Sequence, residues 1–126
     1  MNKPQKFKEL LRNKEIIVMP GAFDGMSARL VEETGFKAML ATGAGISNSQ
    51  LGWADVGLTT MTEVCQQVTK MADVTTIPIL ADADTGYGNA INLIRTVREF
   101  ERAGAGGIQL EDQVSPKNVV IFLVNK

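Results

Sequence analysis

Short strand-like segments alternate with amphipathic helical segments along this chain, and the alternation is the strongest constraint on its fold. After a short N-terminal helix, strand-like runs are predicted at 16–19, 38–42, 77–81 and 107–111, with helices opening near 24, 60 and 89. Parallel strands need helical crossovers of this kind, so the pattern predicts an α/β fold with a four-stranded parallel sheet. Part of a barrel and an open doubly wound sheet both fit the pattern.

Local signals mark the helix ends and their apolar faces. Asp24 begins a helix that ends near Thr34 at Gly35, Thr60 and Glu63 form a capping box, and Asn89 caps the last helix before a stop at Ala103-Gly104. Helical spacing predicts that the following side chains face the core: Met26, Leu30, Val31, Val64, Val68, Met71, Ile94, Val97 and Phe100. Residues 43–59 are predicted to form one long loop.

Composition excludes several classes of protein. With 126 residues and a net charge of −1, the chain fits one domain without a basic surface for nucleic acid. Its apolar runs are too short to span a membrane, and the N-terminus lacks the apolar region of a signal peptide. One cysteine favours a reducing, cytoplasmic location, and the lack of histidine excludes histidine-based triads and disfavours zinc.

The run from Ile77 to Gly88 is the best candidate for chemistry, because an apolar strand ends in two carboxylates and a glycine-rich loop. On an extended backbone Asp82 and Asp84 point the same way. With Glu111 and Asp112 at the next strand end, they could converge on a hard cation such as Mg²⁺ or Mn²⁺. The alternative is that Asp84 caps a turn and Glu111 is a solvated loop residue.

Three further features have a functional and a purely structural interpretation. The turn Thr42-Gly-Ala-Gly45 could cradle a carboxylate or phosphate with its N–H groups, or could be a simple tight turn. Asp55 lies in a loop long enough to be functional, although Trp53 could pack this loop on the sheet rim. We expect Cys65, on an amphipathic helix, to be an inert, partly buried thiol rather than a nucleophile.

Five motifs occur in the order and spacing of one enzyme family. They are Pro20-Gly-Ala-Phe-Asp24, Thr42-Gly-Ala-Gly45, Leu51-Gly-Trp-Ala-Asp55-Val-Gly57, Asp82-Ala-Asp84-Thr-Gly-Tyr-Gly88 and Glu111-Asp-Gln113. Through them the chain resembles the isocitrate lyase/phosphoenolpyruvate mutase superfamily, from about residue 5 to Lys117. It looks closest to the branch with 2-methylisocitrate lyase, 2,3-dimethylmalate lyase and carboxyvinyl-carboxyphosphonate phosphorylmutase-like sequences.

The resemblance implies a fold, a reaction and a set of site residues. The fold is the first half of a (β/α)8 TIM-type barrel with an N-terminal helix, ending after about four strands. The reaction is Mg²⁺- or Mn²⁺-dependent cleavage of a small 2-hydroxy di- or tricarboxylate to a 2-oxo acid and a succinate-like product. The implied roles are Asp82, Asp84 and Glu111 for the metal, Thr42, Gly43, Ala44, Gly45 and Asp82 for the substrate, and Asp55 and Glu111 for catalysis.

One departure from the family concerns the end of the resemblance. The family's lyases follow Glu-Asp-Gln with Lys-Lys/Arg-Cys-Gly-His, a loop whose cysteine acts as an acid, whereas this chain has Val119 at that position. The family's Lys-Lys-Cys-Gly-His can be encoded by AAA AAA TGT GGT CAT. Deletion of one A shifts the reading frame to AAA AAT GTG GTC, which encodes Lys-Asn-Val-Val, the residues found from Lys117 onward. We therefore interpret residues 1–117 as the lyase half-barrel and residues 118–126 as an out-of-frame tail.

Two alternatives to an intact lyase follow from the same comparison. Without the acid cysteine and the second half of the barrel, we expect this chain alone to be inactive. One alternative is a mutase or hydrolase of the same superfamily that acts on P–C bonds, and the other is a non-catalytic half-barrel remnant. The resemblance implies that full-length relatives are homo-oligomers, and the open sheet predicts that this chain alone is unstable or self-associates.

Overall fold

A computed structural model of the chain describes residues 2–114, whose four strands form one parallel sheet. The strands are β1 (Gly21–Ala22), β2 (Met39–Ala41), β3 (Ile79–Asp82) and β4 (Gly107–Gln109). Each strand pairs in parallel with the next one in the sequence. Strict sequential order is that of a barrel, whereas the strand order of a doubly wound sheet reverses. The predicted α/β fold is confirmed, and its sheet follows the barrel alternative.

Five α-helices and one π-helical segment connect the strands within the described residues. They are α1 (Lys3–Arg12), α2 (Gly25–Glu33), α3 (Gly43–Ile46), the π-helical segment Ser47–Leu51, α4 (Met61–Val74) and α5 (Ala90–Arg102). The predicted caps are confirmed: Asp24, Thr60 and Asn89 each accept a backbone N–H at the start of a helix. Gly35 (φ 96°) and Gly104 (φ 91°) adopt the left-handed conformation just past α2 and α5, as their predicted role as helix stops requires.

The core lies between the sheet and the layer of helices on one of its faces. Alternate strand residues are fully buried there, whereas Leu40 and Leu80 on the other face are only partly buried. Buried residues of this core include Val31, Met39, Ala41, Val64, Val68, Met71, Ile79, Ala81 and Phe100. The helix-covered face therefore carries most of the hydrophobic stabilisation of this part of the chain.

Helix α1 covers the amino end of the sheet and leaves the carboxyl end accessible. A Cβ atom on Gly107, the first residue of β4, would lie 2.7 Å from Cε1 of Phe7. The Lys6 ammonium donates a hydrogen bond to the carbonyl of Thr76, before β3 begins, at 3.0 Å. Chemistry in parallel α/β folds gathers at the carboxyl ends of strands, which is the end that α1 does not cover.

The strand predicted at 16–19 is wrong, because pairing begins later in the chain. The first bond to β2 runs from the N–H of Leu40 to the carbonyl of Pro20, at 3.0 Å. In that register residues 16–19 lie opposite the turn that precedes β2, where no strand is available to pair with them. Ile16 is consequently 93 % exposed.

Two further expectations are corrected by the structure. Residues 43–59 are not one loop, since α3 and the π-helical segment fill the first half. Four apolar side chains expected in the core are exposed instead, namely Met26, Leu30, Ile94 and Val97. Helices α2 and α5 both pack on α4, and these side chains mark the sides that α4 does not cover. Periodicity predicts an apolar face but not which neighbour covers it.

Candidate functional site

The polar residues singled out from the sequence meet at the carboxyl edge of the sheet. Thr42 follows β2 directly, Asp82 is the last residue of β3, and Glu111 comes two residues after β4. In the sheet register Ala41 pairs with Ala81, and Asp82 pairs with Gln109. Because parallel strands end at the same edge, these three side chains belong to one region, as predicted.

Asp82 is the central residue of this region, because each of its carboxylate oxygens accepts a backbone hydrogen bond. The N–H of Gly43 donates to Oδ2 at 3.2 Å, and the N–H of Asp84 donates to Oδ1 at 3.0 Å. A Cβ atom on Gly43 would lie 2.7 Å from the same Oδ2. Glycine is therefore needed at position 43 for the turn after β2 to approach Asp82.

The segment that follows β3, residues 82–88, is called the acid loop below, and its backbone differs from our expectation. Asp84 is not extended but left-handed, with φ 51°, and Tyr87 is left-handed with φ 59°. Side chains at i and i+2 therefore do not project in parallel, and Asp82 bonds the backbone of Asp84 instead. Left-handed non-glycine residues cost about 1–3 kcal/mol each and concentrate at functional sites.

Backbone hydrogen bonds join the acid loop to the end of β4. The N–H of Ala83 donates to the carbonyl of Gln109 at 3.0 Å, and the N–H of Glu111 donates to the carbonyl of Asp84 at 2.9 Å. The backbone of Glu111 is thus hydrogen-bonded directly to the acid loop, even though 27 positions separate Glu111 from Asp84 in the sequence. The loop conformation decides where both carboxylates lie.

The glycine-rich turn after β2 opens α3 rather than forming a bare loop. Thr42 is the N-cap of α3, and its hydroxyl accepts the N–H of Gly45 at 3.2 Å. The N–H groups of Gly43 and Gly45, which were candidates to bind an anion, therefore have side-chain partners in this structure. Ala44 lies between them in the same turn.

Asp55 is half-buried in the stretch between the π-helical segment and α4. The preceding residues are fixed by Ser47, a buried serine whose hydroxyl donates to the carbonyls of Trp53 at 3.0 Å and Ala54 at 3.2 Å. Trp53 itself is exposed, so the alternative in which it packs on the sheet rim is not found.

Tyr87, a residue of the acid loop, lies close enough to Asp55 to feel its charge and was not singled out from the sequence. Burial and the nearby charges of Asp82, Asp84, Cys65 and Asp55 raise the pKa of its hydroxyl well above the ordinary value of 10.0. Its phenol is therefore neutral at physiological pH and lies near three carboxylates. An aromatic residue flanked by two glycines directly after the Asp-x-Asp motif was the signal available for it.

The carboxylates do not form a ready-made three-ligand metal cage. Residues 2–114 contain no group of three or more acidic, cysteine or histidine side chains arranged to hold a metal ion. Each carboxylate oxygen of Asp82 accepts one backbone N–H group and has a second lone pair left for another partner. The donor set nevertheless fits a mostly hydrated Mg²⁺, which commonly uses one or two carboxylates and keeps several waters. Burial of Oδ1 of Asp84 and Oε2 of Glu111 adds to that fit, since cations stabilise buried carboxylate oxygens.

Cys65 matches the expectation of an inert thiol. It is half-buried in α4, and burial together with the charge of Glu99 raises its pKa to about 11. A thiol with such a pKa is a poor nucleophile at neutral pH. The predictions for Val119 and for the tail at 118–126 lie outside the described residues.

Comparison with known families and proteins matches nearly all of the chain to one enzyme family. The family profile for phosphoenolpyruvate phosphomutase matches residues 7–122. The chain is 51% identical over 117 residues to 2,3-dimethylmalate lyase of Eubacterium barkeri, covering 93% of this chain and 40% of that protein. It is 46% identical to 2-methylisocitrate lyase of Aeropyrum pernix, covering 87% of this chain and 35% of that protein.

Solved structures show the same relationship. A crystal structure of 2,3-dimethylmalate lyase superposes with a TM-score of 0.87 at 35% identity, covering 96% of this chain and 43% of that one. A phosphonopyruvate hydrolase complexed with oxalate and Mg²⁺ superposes with a TM-score of 0.88 at 30% identity, covering 94% and 41%. The chain thus spans about 40% of the length of these relatives. No helix in residues 2–114 is long and apolar enough to cross a membrane.

Proposed function

Because this chain belongs to the phosphoenolpyruvate mutase/isocitrate lyase superfamily, we propose that it carries the metal and substrate half of a carbon–carbon lyase site. The proposed substrate is a small 2-hydroxy di- or tricarboxylate of the 2-methylisocitrate type, cleaved to a 2-oxo acid and a succinate-like product. The 51% and 46% identities to two such lyases support this choice. The observation that carries it is the position of Asp82, which ties the turn after β2 to the acid loop.

In this proposal Asp82, Asp84 and Glu111 would hold Mg²⁺, or Mn²⁺, partly through water. The ion would supply positive charge beside the 2-hydroxyl oxygen, which becomes negatively charged as its proton leaves. The mostly hydrated binding mode agrees with the hydrogen bonds that Asp82 makes to the backbone. The oxalate and Mg²⁺ of the phosphonopyruvate hydrolase complex are a related pairing in a structural relative.

The chain's own residues would orient the substrate and move its protons. Thr42 to Gly45 would hold a substrate carboxylate, helped by Asp82, after the N–H groups of this turn exchange their present side-chain partners. Asp55 and Glu111 are the proposed proton-handling groups: one carboxylate oxygen takes the proton of the 2-hydroxyl while the adjacent C–C bond breaks. The electron pair of that bond goes to the succinate-like fragment, which then needs a proton.

We expect this chain to be unable to protonate the succinate-like fragment. Val119 occupies the position that corresponds to the family's acid cysteine, and its side chain has no proton to give. We propose that the chain binds the cation and a 2-oxo acid without completing turnover. An assay of the purified chain with 2-methylisocitrate and Mg²⁺ tests this, with no pyruvate above background expected. Sustained pyruvate release that Asp82→Asn abolishes would contradict the inactivity but not the lyase assignment.

Phosphorus–carbon chemistry is the second candidate. Its support is structural: a phosphoenolpyruvate phosphomutase of Streptomyces platensis and phosphonopyruvate hydrolase superpose with TM-scores of 0.87 and 0.88. Sequence identity to these two structures is 36% and 31%, against 35% to the 2,3-dimethylmalate lyase structure, so the structural matches do not separate the two chemistries. The 51% identity to the Eubacterium barkeri lyase is the observation that favours the lyase. Phosphate release from phosphonopyruvate by the purified chain would favour this candidate over the lyase.

We also propose that the chain self-associates when purified alone, as a half-barrel remnant would. Exposed apolar side chains on the sides of α2 and α5 that α4 does not cover support this, among them Met26, Leu30, Ile91 and Ile94. Sedimentation velocity should show species larger than a 13.6 kDa monomer. A single monomeric species with a sharp, reversible thermal transition would contradict self-association.

A further inference from the structure

Thr96 makes an unusual hydrogen bond for a threonine in a helix. Three other threonines of this chain, Thr34, Thr69 and Thr75, donate their hydroxyls to the carbonyl four residues earlier, which is the common local arrangement. Thr96, in α5 and almost fully buried, donates instead to the carbonyl of Gly86 at 2.8 Å. This is the contact from α5 into the middle of the acid loop.

A second contact from the same side of α5 reaches the next residue of the loop. The ring of Tyr87 stacks on Phe100, with 6.2 Å between ring centroids and an interplanar angle of 15°. Thr96 and Phe100 are four residues apart and therefore share one face of the helix. Two successive loop residues, Gly86 and Tyr87, are thus fixed by two neighbouring positions of α5.

The acid loop needs such support because its backbone is strained. Asp84 and Tyr87 both have positive φ values, 51° and 59°, which persist only where surrounding contacts enforce them. The carbonyl of Asp84 accepts the N–H of Glu111 at 2.9 Å, so any shift of the loop also moves Glu111. None of these contacts is made by a residue already given a role in the reaction, apart from Asp84 and Glu111 themselves.

We propose that Thr96 is a positioning residue of the site, whose hydroxyl fixes the acid loop in the conformation that brings Asp84 beside Glu111. Thr96 touches neither substrate nor metal in this proposal and acts only through Gly86. The inference rests on the proposed function for its consequence at the metal, but not for its effect on the loop. Its place in the fold, beneath the loop rather than at the carboxyl edge, explains why no motif in the sequence points to it.

The test compares the isosteric variant Thr96→Val with Thr75→Val. Thr75 is also buried and also donates its hydroxyl to a backbone carbonyl, that of Met71 at 2.7 Å, but it lies before β3 at the other end of the sheet. Amide hydrogen exchange of metal-free protein is measured at Asp84, Gly86 and Glu111, whose N–H groups have partners in the loop region.

Thr96→Val should speed exchange at these three amides by about tenfold relative to the strand amides, the factor expected for one lost buried hydrogen bond. Thr75→Val should leave that ratio unchanged, and Thr96→Ser should restore it. A uniform rise in exchange across the sheet, as for an ordinary core residue, would overturn the proposal. If Thr96→Val does not fold, Thr96→Ala decides the matter by the same exchange ratio, because it also removes the hydroxyl that donates to Gly86 and places no second methyl group beside the loop.

A second readout connects the loop to the cation. Binding of Mn²⁺, followed by electron paramagnetic resonance, should weaken about tenfold in Thr96→Val and stay at the unsubstituted level in Thr75→Val and Thr96→Ser. Equal Mn²⁺ affinity in Thr96→Val and Thr75→Val would also overturn the proposal. If the unsubstituted chain binds no Mn²⁺, the proposed metal role fails, and the exchange experiment alone decides whether Thr96 positions the loop.

Discussion

On the helix-covered face of the sheet, apolar side chains pack against one another, whereas at the carboxyl edge side chains bond mainly to backbone. Met71, Val68 and Phe100 contribute apolar area to a contiguous core and make no hydrogen bond to the site. At the edge Asp82 and Thr42 instead fix particular backbone groups, and Thr96 does the same from beneath the acid loop. Substitutions on the covered face should therefore change stability, and substitutions at the edge should change binding more than stability.

The largest effect should come from the covered face. Met71→Ala removes a fully buried side chain from α4 and should lower the free energy of unfolding by about 2–5 kcal/mol, measured by urea denaturation. Lys70→Ala, at an exposed position of the same helix, is the matched control and should change it by less than about 0.5 kcal/mol. A loss for Met71→Ala no larger than for Lys70→Ala would mean that the helix layer is not a packed core.

A smaller effect on stability, with a large effect on binding, is expected at Gly43. A Cβ atom there would crowd Oδ2 of Asp82, so Gly43→Ala should cost about 1–3 kcal/mol of stability and weaken Mn²⁺ binding. Gly25→Ala is the control, because a Cβ at that helix position meets only ordinary contacts, the nearest 3.7 Å away. Unchanged Mn²⁺ affinity in Gly43→Ala would show that the approach of the turn to Asp82 does not matter for the site.

The smallest effect concerns the helix cap Asp24, which lies between β1 and α2. Hydrogen bonds from Ser27 hold the pKa of Asp24 below its ordinary 3.8, so the carboxylate stabilises the fold above that pH and the contribution is lost as pH falls through the lower folded-state pKa. Asp24→Ala should cost about 1 kcal/mol at pH 7. Unfolding curves of the two proteins should converge in acid, and a constant difference from pH 7 to pH 2 would exclude the carboxylate as the cause.

The two regions also differ in how far the sequence predicts them. Caps such as Thr60 with Glu63 depend on residues three apart, so they were predictable from the local sequence. The carboxylates at the strand ends could be located because parallel strands share an edge. The strand at 16–19 failed because its partner is set by the position of β2, which no local pattern encodes.

The remaining features of the site depend on contacts between distant residues. The left-handed backbone of Asp84 follows from bonds to Asp82, Glu111 and, through Gly86, Thr96. Spacing on an ideal strand predicted parallel carboxylates there, because it assumes that the strand continues past Asp82. A threonine in an amphipathic helix carries no local sign that its hydroxyl reaches a loop ten residues earlier.

Mn²⁺ binding to the purified chain and to its Asp82→Asn variant tests the central claim most directly. The amide keeps the size of the side chain but removes the charge and one of the two acceptor oxygens that receive Gly43 and Asp84. We predict that the unsubstituted chain binds Mn²⁺, that oxalate tightens the binding, and that Asp82→Asn weakens it at least about tenfold while the far-ultraviolet spectrum stays unchanged. Equal Mn²⁺ affinity of the two proteins would contradict the assignment of this edge as the metal and substrate site.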